Sequence, residues 1–221
     1  MARLFVTQVG SQQIAEQFGV EDAPIITMPR EMTEGLEGPI VVESNGRRLL
    51  KIARWGFSRP LRAGLSRPDG EPDIIGLVAD LTNPMWDTLA VDPRYRCLIP
   101  LTHFANPAGA QGSKTRSWFS VKHEPLVAWA GFCRNLPNVG PVFAGMTMAA
   151  NEAVIPYNDR MPALLGQQEY ERWLHGSISE VIEFQFRPPM AASRISVIHT
   201  DDRWRSGSVP EFQAMAQGVL L

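Results

Sequence analysis

Apolar residues recur along this chain in short strand-length runs broken by glycine, proline, asparagine and serine, with helical spacing confined to a few segments. Ile40-Val41-Val42 and Leu49-Leu50-Lys51-Ile52 flank Asn45-Gly46, the dipeptide that best suits a two-residue hairpin turn, so strands are predicted at about 40–44 and 48–54. A second hairpin is predicted from Ser117–Val121, a Lys122-His123-Glu124-Pro125 turn and Leu126–Phe132. Further strands are expected near 95–100, 141–147 and 194–199, and helices near 11–18, 149–156, 167–175 and 209–217. The third helix has the clearest pattern: Tyr170, Trp173 and Leu174 share a face, with Glu169, Glu171 and Arg172 between them. Gly64 to Asp73 and Asn106 to Lys114 read as exposed loops. Strands and helices interleave irregularly, with no linker and no internal repeat. This implies an α+β fold, a single domain over 1–221 with a mostly antiparallel, barrel-like β core flanked by helices.

Composition narrows the picture. With 221 residues and 44% of them hydrophobic, the chain can bury a sizeable core, and overall disorder is excluded. The longest apolar run, Leu126 to Cys133, is far short of the roughly 18 residues that span a bilayer. The N-terminal residues turn polar by Thr7-Gln8, before a signal-peptide core could form, so a cytoplasmic location is expected. Cys97 and Cys133 lie in apolar surroundings and read as buried reduced thiols. His103, His123, His175 and His199 are scattered without ligand spacing, so neither a metal nor a cofactor is expected.

The formal charge of −2 hides a segregation. Ser44 to Pro68 carries seven basic residues (Arg47, Arg48, Lys51, Arg54, Arg59, Arg62, Arg67) and no acid; Pro93 to His123 carries five (Arg94, Arg96, Lys114, Arg116, Lys122), again with no acid. If the fold joins these segments they form one basic face on an acidic body, the footprint of a polyanion binder. Trp55 and Phe57 sit among the first set and offer rings on which bases stack. The alternative is a set of solvated strand faces balanced by acids from elsewhere.

The standard catalytic signatures are absent, and Gly109-Ala110-Gln111-Gly112-Ser113-Lys114-Thr115 fails as a phosphate loop because Ser113 stands where glycine must precede the lysine. Five ordered blocks nevertheless stand out: Trp55-Gly56-Phe57, Arg96-Cys97-Leu98-Ile99-Pro100, Trp129-Ala130-Gly131-Phe132, Thr147-Met148-Ala149-Ala150-Asn151 and Asp159-Arg160-Met161-Pro162. In order and spacing they resemble the SOS response-associated peptidase family, the abasic-site processing proteins, over about residues 1–200. The resemblance implies a partner, single-stranded or damaged DNA, and a chemistry in which the amine and thiol of an N-terminal cysteine capture an abasic aldehyde.

Carried over position by position, that chemistry is missing. The nucleophile falls on Ala2 and the family's nearby arginine on Leu4; the glutamate falls on Asn106 and the histidine on Asn158. The Asn-Ala-Arg segment falls on Gly76-Leu77-Val78 without gaps, or on Asn83-Pro84-Met85 with a short deletion, and loses its arginine either way. An amide neither gives nor takes a proton at neutral pH, so the resemblance implies a degenerate site. Arg160, Thr147 and Trp55 are retained, and with Arg3, Arg54 and Arg59 they form the expected DNA-binding set. Removal of Met1 would leave an Ala2 amine, which titrates close enough to neutrality to form a reversible Schiff base with an aldehyde. Two other readings stay open: an active enzyme whose nucleophile is Cys97, and an interaction protein that keeps the scaffold without binding DNA, in which case the basic segments would be neutralised or dispersed.

Overall fold

The computed structural model describes residues 3–59 and 73–210. In chain order its regular elements are β1 (Leu4–Val6), α1 (Ser11–Phe18), β2 (Met32–Thr33), β3 (Glu37–Ser44), β4 (Arg47–Trp55), β5 (Phe57–Arg59), β6 (Asp73–Ile75), β7 (Leu77–Val78), α2 (Asp87–Val91), β8 (Arg96–Leu101), β9 (His103–Ala108), β10 (Thr115–Val121), β11 (Val127–Leu136), β12 (Gly140–Ala149), β13 (Arg160–Pro162), β14 (Leu164–Leu165), α3 (Tyr170–His175), α4 (Ile178–Phe186) and β15 (Ile195–Arg203). Asn45 and Gly46 both have positive φ, 54° and 72°, which is the type I′ geometry that lets β3 and β4 leave the turn with matching twist.

Two large sheets organise most of these elements, and β5 and β6 pair as a separate two-stranded sheet. β12 pairs antiparallel with β11 along Gly140 to Gly145 and parallel with β4 at Val142 and Phe143. Because β4 pairs with β3, β3 with β8 and β8 with β11, the five strands close into a barrel. β7 and β13 extend the far half of β12, and β14 extends β11. The second sheet is antiparallel in the order β15-β10-β9-β1-β2. The architecture is α+β with a mostly antiparallel β core, as the pattern predicts.

Tryptophans lock the barrel. Trp55, Trp129 and Phe5 meet edge to face with centroids 5.0 to 5.9 Å apart. Three buried indoles also hand their protons to backbone carbonyls: Trp129 Nε1 to Met146 O at 2.6 Å, Trp55 Nε1 to Gly76 O at 2.7 Å and Trp173 Nε1 to Cys97 O at 3.0 Å. Gly145 has no side chain because the Trp129 ring lies where its Cβ would be. Arg96 is wholly buried and donates to the carbonyls of Trp173, Gly176 and Ala90, tying β8 to the helical layer.

The structure corrects several expectations. The strands at 117–121 and 126–132 form but do not pair: β10 joins β9 and β15, whereas β11 belongs to the barrel. Alternation places a strand's faces, and sequence proximity does not choose its neighbour; Lys122 N bonds Arg194 O at 2.8 Å, so β15 takes the edge of β10 where the chain turns. The helix expected at 149–156 is absent. β12 runs to Ala149, Asn151 Oδ1 accepts from Ala153 and Val154 N–H, and Pro156 has no N–H to continue a helix. Asn106 lies in buried β9 and not in a loop. Val209 and Pro210 are not helical, the rest of the 209–217 prediction lies outside the described residues, and so does the Gly64–Asp73 loop except for Asp73, which opens β6. Cys97 and Cys133 are buried and unpaired as disulfides.

Two stability predictions follow from this packing. Gly145→Ala drives a Cβ into Trp129 and costs about 3 kcal/mol, read as a lowered urea midpoint. Burial holds the His103 imidazole down at about 4 against an ordinary 6.5, so folding favours its neutral form. The unfolded chain therefore binds the extra proton, and the contribution is complete above pH 6.5 and lost as pH falls towards 4. His103→Gln flattens that part of the stability profile in urea titrations at stepped pH.

Candidate functional site

Strand register builds a polar row on the inner face of the second sheet. Asn106 on β9 stands opposite Ser117 on β10, which stands opposite His199 on β15. The neighbouring inward pair, Phe104 and Phe119, stacks at 5.1 Å and seals the row from the core. The turn before β13 closes over it: Tyr157 packs edge to face on Phe119, and Asn158 Nδ2 donates to Asn106 Oδ1 at 3.3 Å. His199 joins the group, with Nδ1 3.0 Å from Ser117 Oγ and Nε2 3.3 Å from Tyr157 Oη. The positions that resemble the family's glutamate and histidine thus do meet, as an amide pair. Asn106 is fully buried, and its Nδ2 has no partner among the described residues. The pair can donate and accept hydrogen bonds but cannot shuttle protons.

Arg160 stands on β13 next to this group, and its guanidinium is occupied by the fold. Nη2 donates to Ala79 O and Thr147 O, both at 2.6 Å, and Nε reaches Thr147 Oγ1 at 3.3 Å. Burial lowers its pKa, opposed by Asp159 and Asp80. Thr147 is itself buried and bonds Val78 O at 3.4 Å. Of the two placements for the Asn-Ala-Arg segment, Gly76-Leu77-Val78 lies here beside β12, whereas Asn83 caps an exposed turn through Met85 N at 3.1 Å.

The remaining expected residues are dispersed. Trp55 is 0% exposed, so its ring is not offered to a base, which corrects the stacking expectation. Arg54 is exposed and bonds Gly35 O at 3.1 Å through Nε. Arg3 pairs with Glu34 at 3.1 Å, and Glu34 also accepts from Gly76 N at 3.1 Å. The Arg59 side chain and Ala2 lie outside the described residues. Cys97 is fully buried and burial raises its thiol pKa, so it cannot act as an exposed nucleophile.

Nor, among the described residues, do the acid-free segments add up to one open basic face. Arg47 meets Glu21 and Asp22 at 2.7 and 3.3 Å, Arg48 meets Glu171, Arg94 meets Asp92 at 2.6 Å and Arg116 meets Glu31 at 2.9 Å. Lys51, Arg54, Lys114 and Lys122 have no carboxylate partner among the described residues. Ser117, Tyr157, His199 and Glu34 escape a reading of the sequence, since their grouping depends on long-range strand pairing. No helix among the described residues is long and apolar enough to cross a membrane, and no metal-holding cluster occurs among them.

The hydrogen bonds of Arg160 yield a discriminating prediction. Arg160→Ala removes charge-assisted bonds to two backbone carbonyls and costs about 2 kcal/mol of stability, read by chemical unfolding. An arginine serving DNA contact alone would leave the midpoint unmoved.

Known proteins share this fold. The structure is similar to a Bordetella bronchiseptica protein (TM-score 0.74, 16% identity, covering 90% of this chain and 99% of that one). It is also similar to a Bacteroides thetaiotaomicron protein (0.71, 17% identity, 89% and 91%). A phage-related protein of B. bronchiseptica is a further match (0.67, 13% identity, 90% and 94%), and at these identities the likeness concerns the fold. No curated protein matches the chain. The sequence profile of the SOS response associated peptidase (SRAP) family matches residues 1–200, so the chain belongs to that family and to its association with the response to DNA damage.

Proposed function

We propose that this protein is a catalytically degenerate SRAP member that holds single-stranded or damaged DNA without cross-linking to it. The observation that carries the reading is the Asn158–Asn106 bond: two amides occupy the place where an acid and a base would move protons. The absence of a thiol at Ala2 and the burial of Cys97 point the same way. Affinity would come from cations of the first acid-free segment: Arg54, which is exposed, and Arg59, which follows it on β5. A second reading, an interaction protein on the same scaffold, is favoured by one observation, the ion pairing of Arg47, Arg48 and Arg116.

A titration of Met-processed protein with single-stranded DNA, with and without one abasic site, separates the readings at two salt concentrations. Binding is expected to weaken steeply with salt, by a slope of about 0.7 per phosphate contact, and Arg54→Glu or Arg59→Glu is expected to weaken it further. Borohydride is expected to trap no adduct. A trapped adduct would show that the Ala2 amine retains covalent chemistry, and an absence of binding at low salt would favour the interaction protein.

A further inference from the structure

The face of the second sheet opposite Asn106 carries its own opening, of about 270 Å³, at the β1–β2 edge. Leu4, Arg116 and Trp204 line it from that outer face, where Arg116 stands opposite Pro107, one register step from the Asn106–Ser117 pair. Arg116 forms its base with a side chain only 2% exposed. Its Nε donates to Trp204 O at 3.2 Å and its Nη1 to Glu31 at 2.9 Å and Ser208 O at 3.2 Å. Its Nη2 has no hydrogen-bond partner among the described residues. A second ion pair, Arg3–Glu34, lines the same opening.

Three properties of this lining select a ligand. An arginine–glutamate pair presents a donor and an acceptor side by side, complementary to the adjacent acceptor and donor on the edge of a nucleobase. Trp204 supplies a partly exposed ring whose backbone is held from both sides, by Arg116 Nε and by its own N–H to Lys114 O at 2.8 Å, so the stacking platform is preorganised. Arg205 is exposed with no partner among the described residues, and it leaves the three lining arginines one charge ahead of the two glutamates. We propose that this opening binds one unpaired nucleotide, its base stacked on Trp204 with its edge against the Arg116–Glu31 pair and its phosphate on Arg205.

The site is separate from the Asn106–Asn158 group, and its test does not depend on the DNA-binding reading. In the full-length protein labelled with nitrogen-15, the Trp204 indole signal is identified by its loss in Trp204→Leu. Deoxyguanosine 5′-monophosphate is expected to shift that signal saturably, and inorganic phosphate at equal concentration is expected to leave it in place. Arg205→Ala, which truncates an exposed side chain, is expected to weaken nucleotide binding at least about fivefold, and Trp204→Leu is expected to lose a similar or larger factor by calorimetry. Phosphate acting as well as the nucleotide, or unchanged affinity in Arg205→Ala, would overturn the assignment. A short single strand that competes with the mononucleotide identifies a strand nucleotide as the ligand; lack of competition identifies a free nucleotide, and either result upholds the site.

Discussion

Strand β12 must satisfy its backbone on both edges at once, and the rest of the molecule is arranged around that requirement. One edge is taken by β11 and then β13, the other by β4 and then β7, so a single strand both closes the barrel and carries the residues next to the site. Closure removes the exposed edges that an open sheet of this kind would present. It also brings Trp129 onto Gly145 and its indole N–H onto Met146 O, so the packing and the hydrogen bonding select the same register.

The polar interior is best understood from the cost of burying charge. A guanidinium taken out of water needs acceptors, and most of those that Arg96, Arg116 and Arg160 find are backbone carbonyls. These arginines therefore serve as ties between elements: Arg96 joins β8 to the helices, Arg116 joins β10 to the segment after β15, and Arg160 joins β13, β12 and Ala79. A cation so engaged has little left for an outside anion. The amide pair at Asn106 and Asn158 obeys the same logic: the nearby Arg160 is occupied by Thr147 and Ala79, and a buried carboxylate with no cation free to pair with it would be far costlier than an amide that bonds its neighbour.

The same sheet presents two different faces to its surroundings. Inside, Ser117 and His199 extend the Asn106 row towards the surface through hydroxyl and imidazole contacts. Outside, Leu4, Val6, Ala105, Trp118 and Val209 form a small second apolar cluster, and Trp204 packs against it. At its margin Arg3 pairs with Glu34 and Arg116 with Glu31, and Arg116 also holds the chain after β15 through Trp204 O and Ser208 O. A strand's strict alternation makes this division possible, because successive residues of β10 serve opposite faces.

Much of this was legible in the chain. Asn45-Gly46 announces its hairpin because only a few residues tolerate positive φ at both turn positions, and the Tyr170, Trp173 and Leu174 spacing announces a helix for reasons confined to one segment. The ordered blocks around Trp55, Arg96, Trp129, Thr147 and Arg160 announce the family, and the replacements at 106 and 158 are visible by counting from those blocks. Tertiary structure alone decided the partners. It sent β10 to β15 and β9 although β11 follows it in sequence, turned 152–157 into a set of turns, enclosed Trp55, and brought Glu21, Glu31 and Glu171 to arginines in acid-free segments. The physical reason is that local propensity depends on a few neighbouring residues, whereas strand pairing, burial and charge compensation depend on which distant groups the closed fold places within about 4 Å.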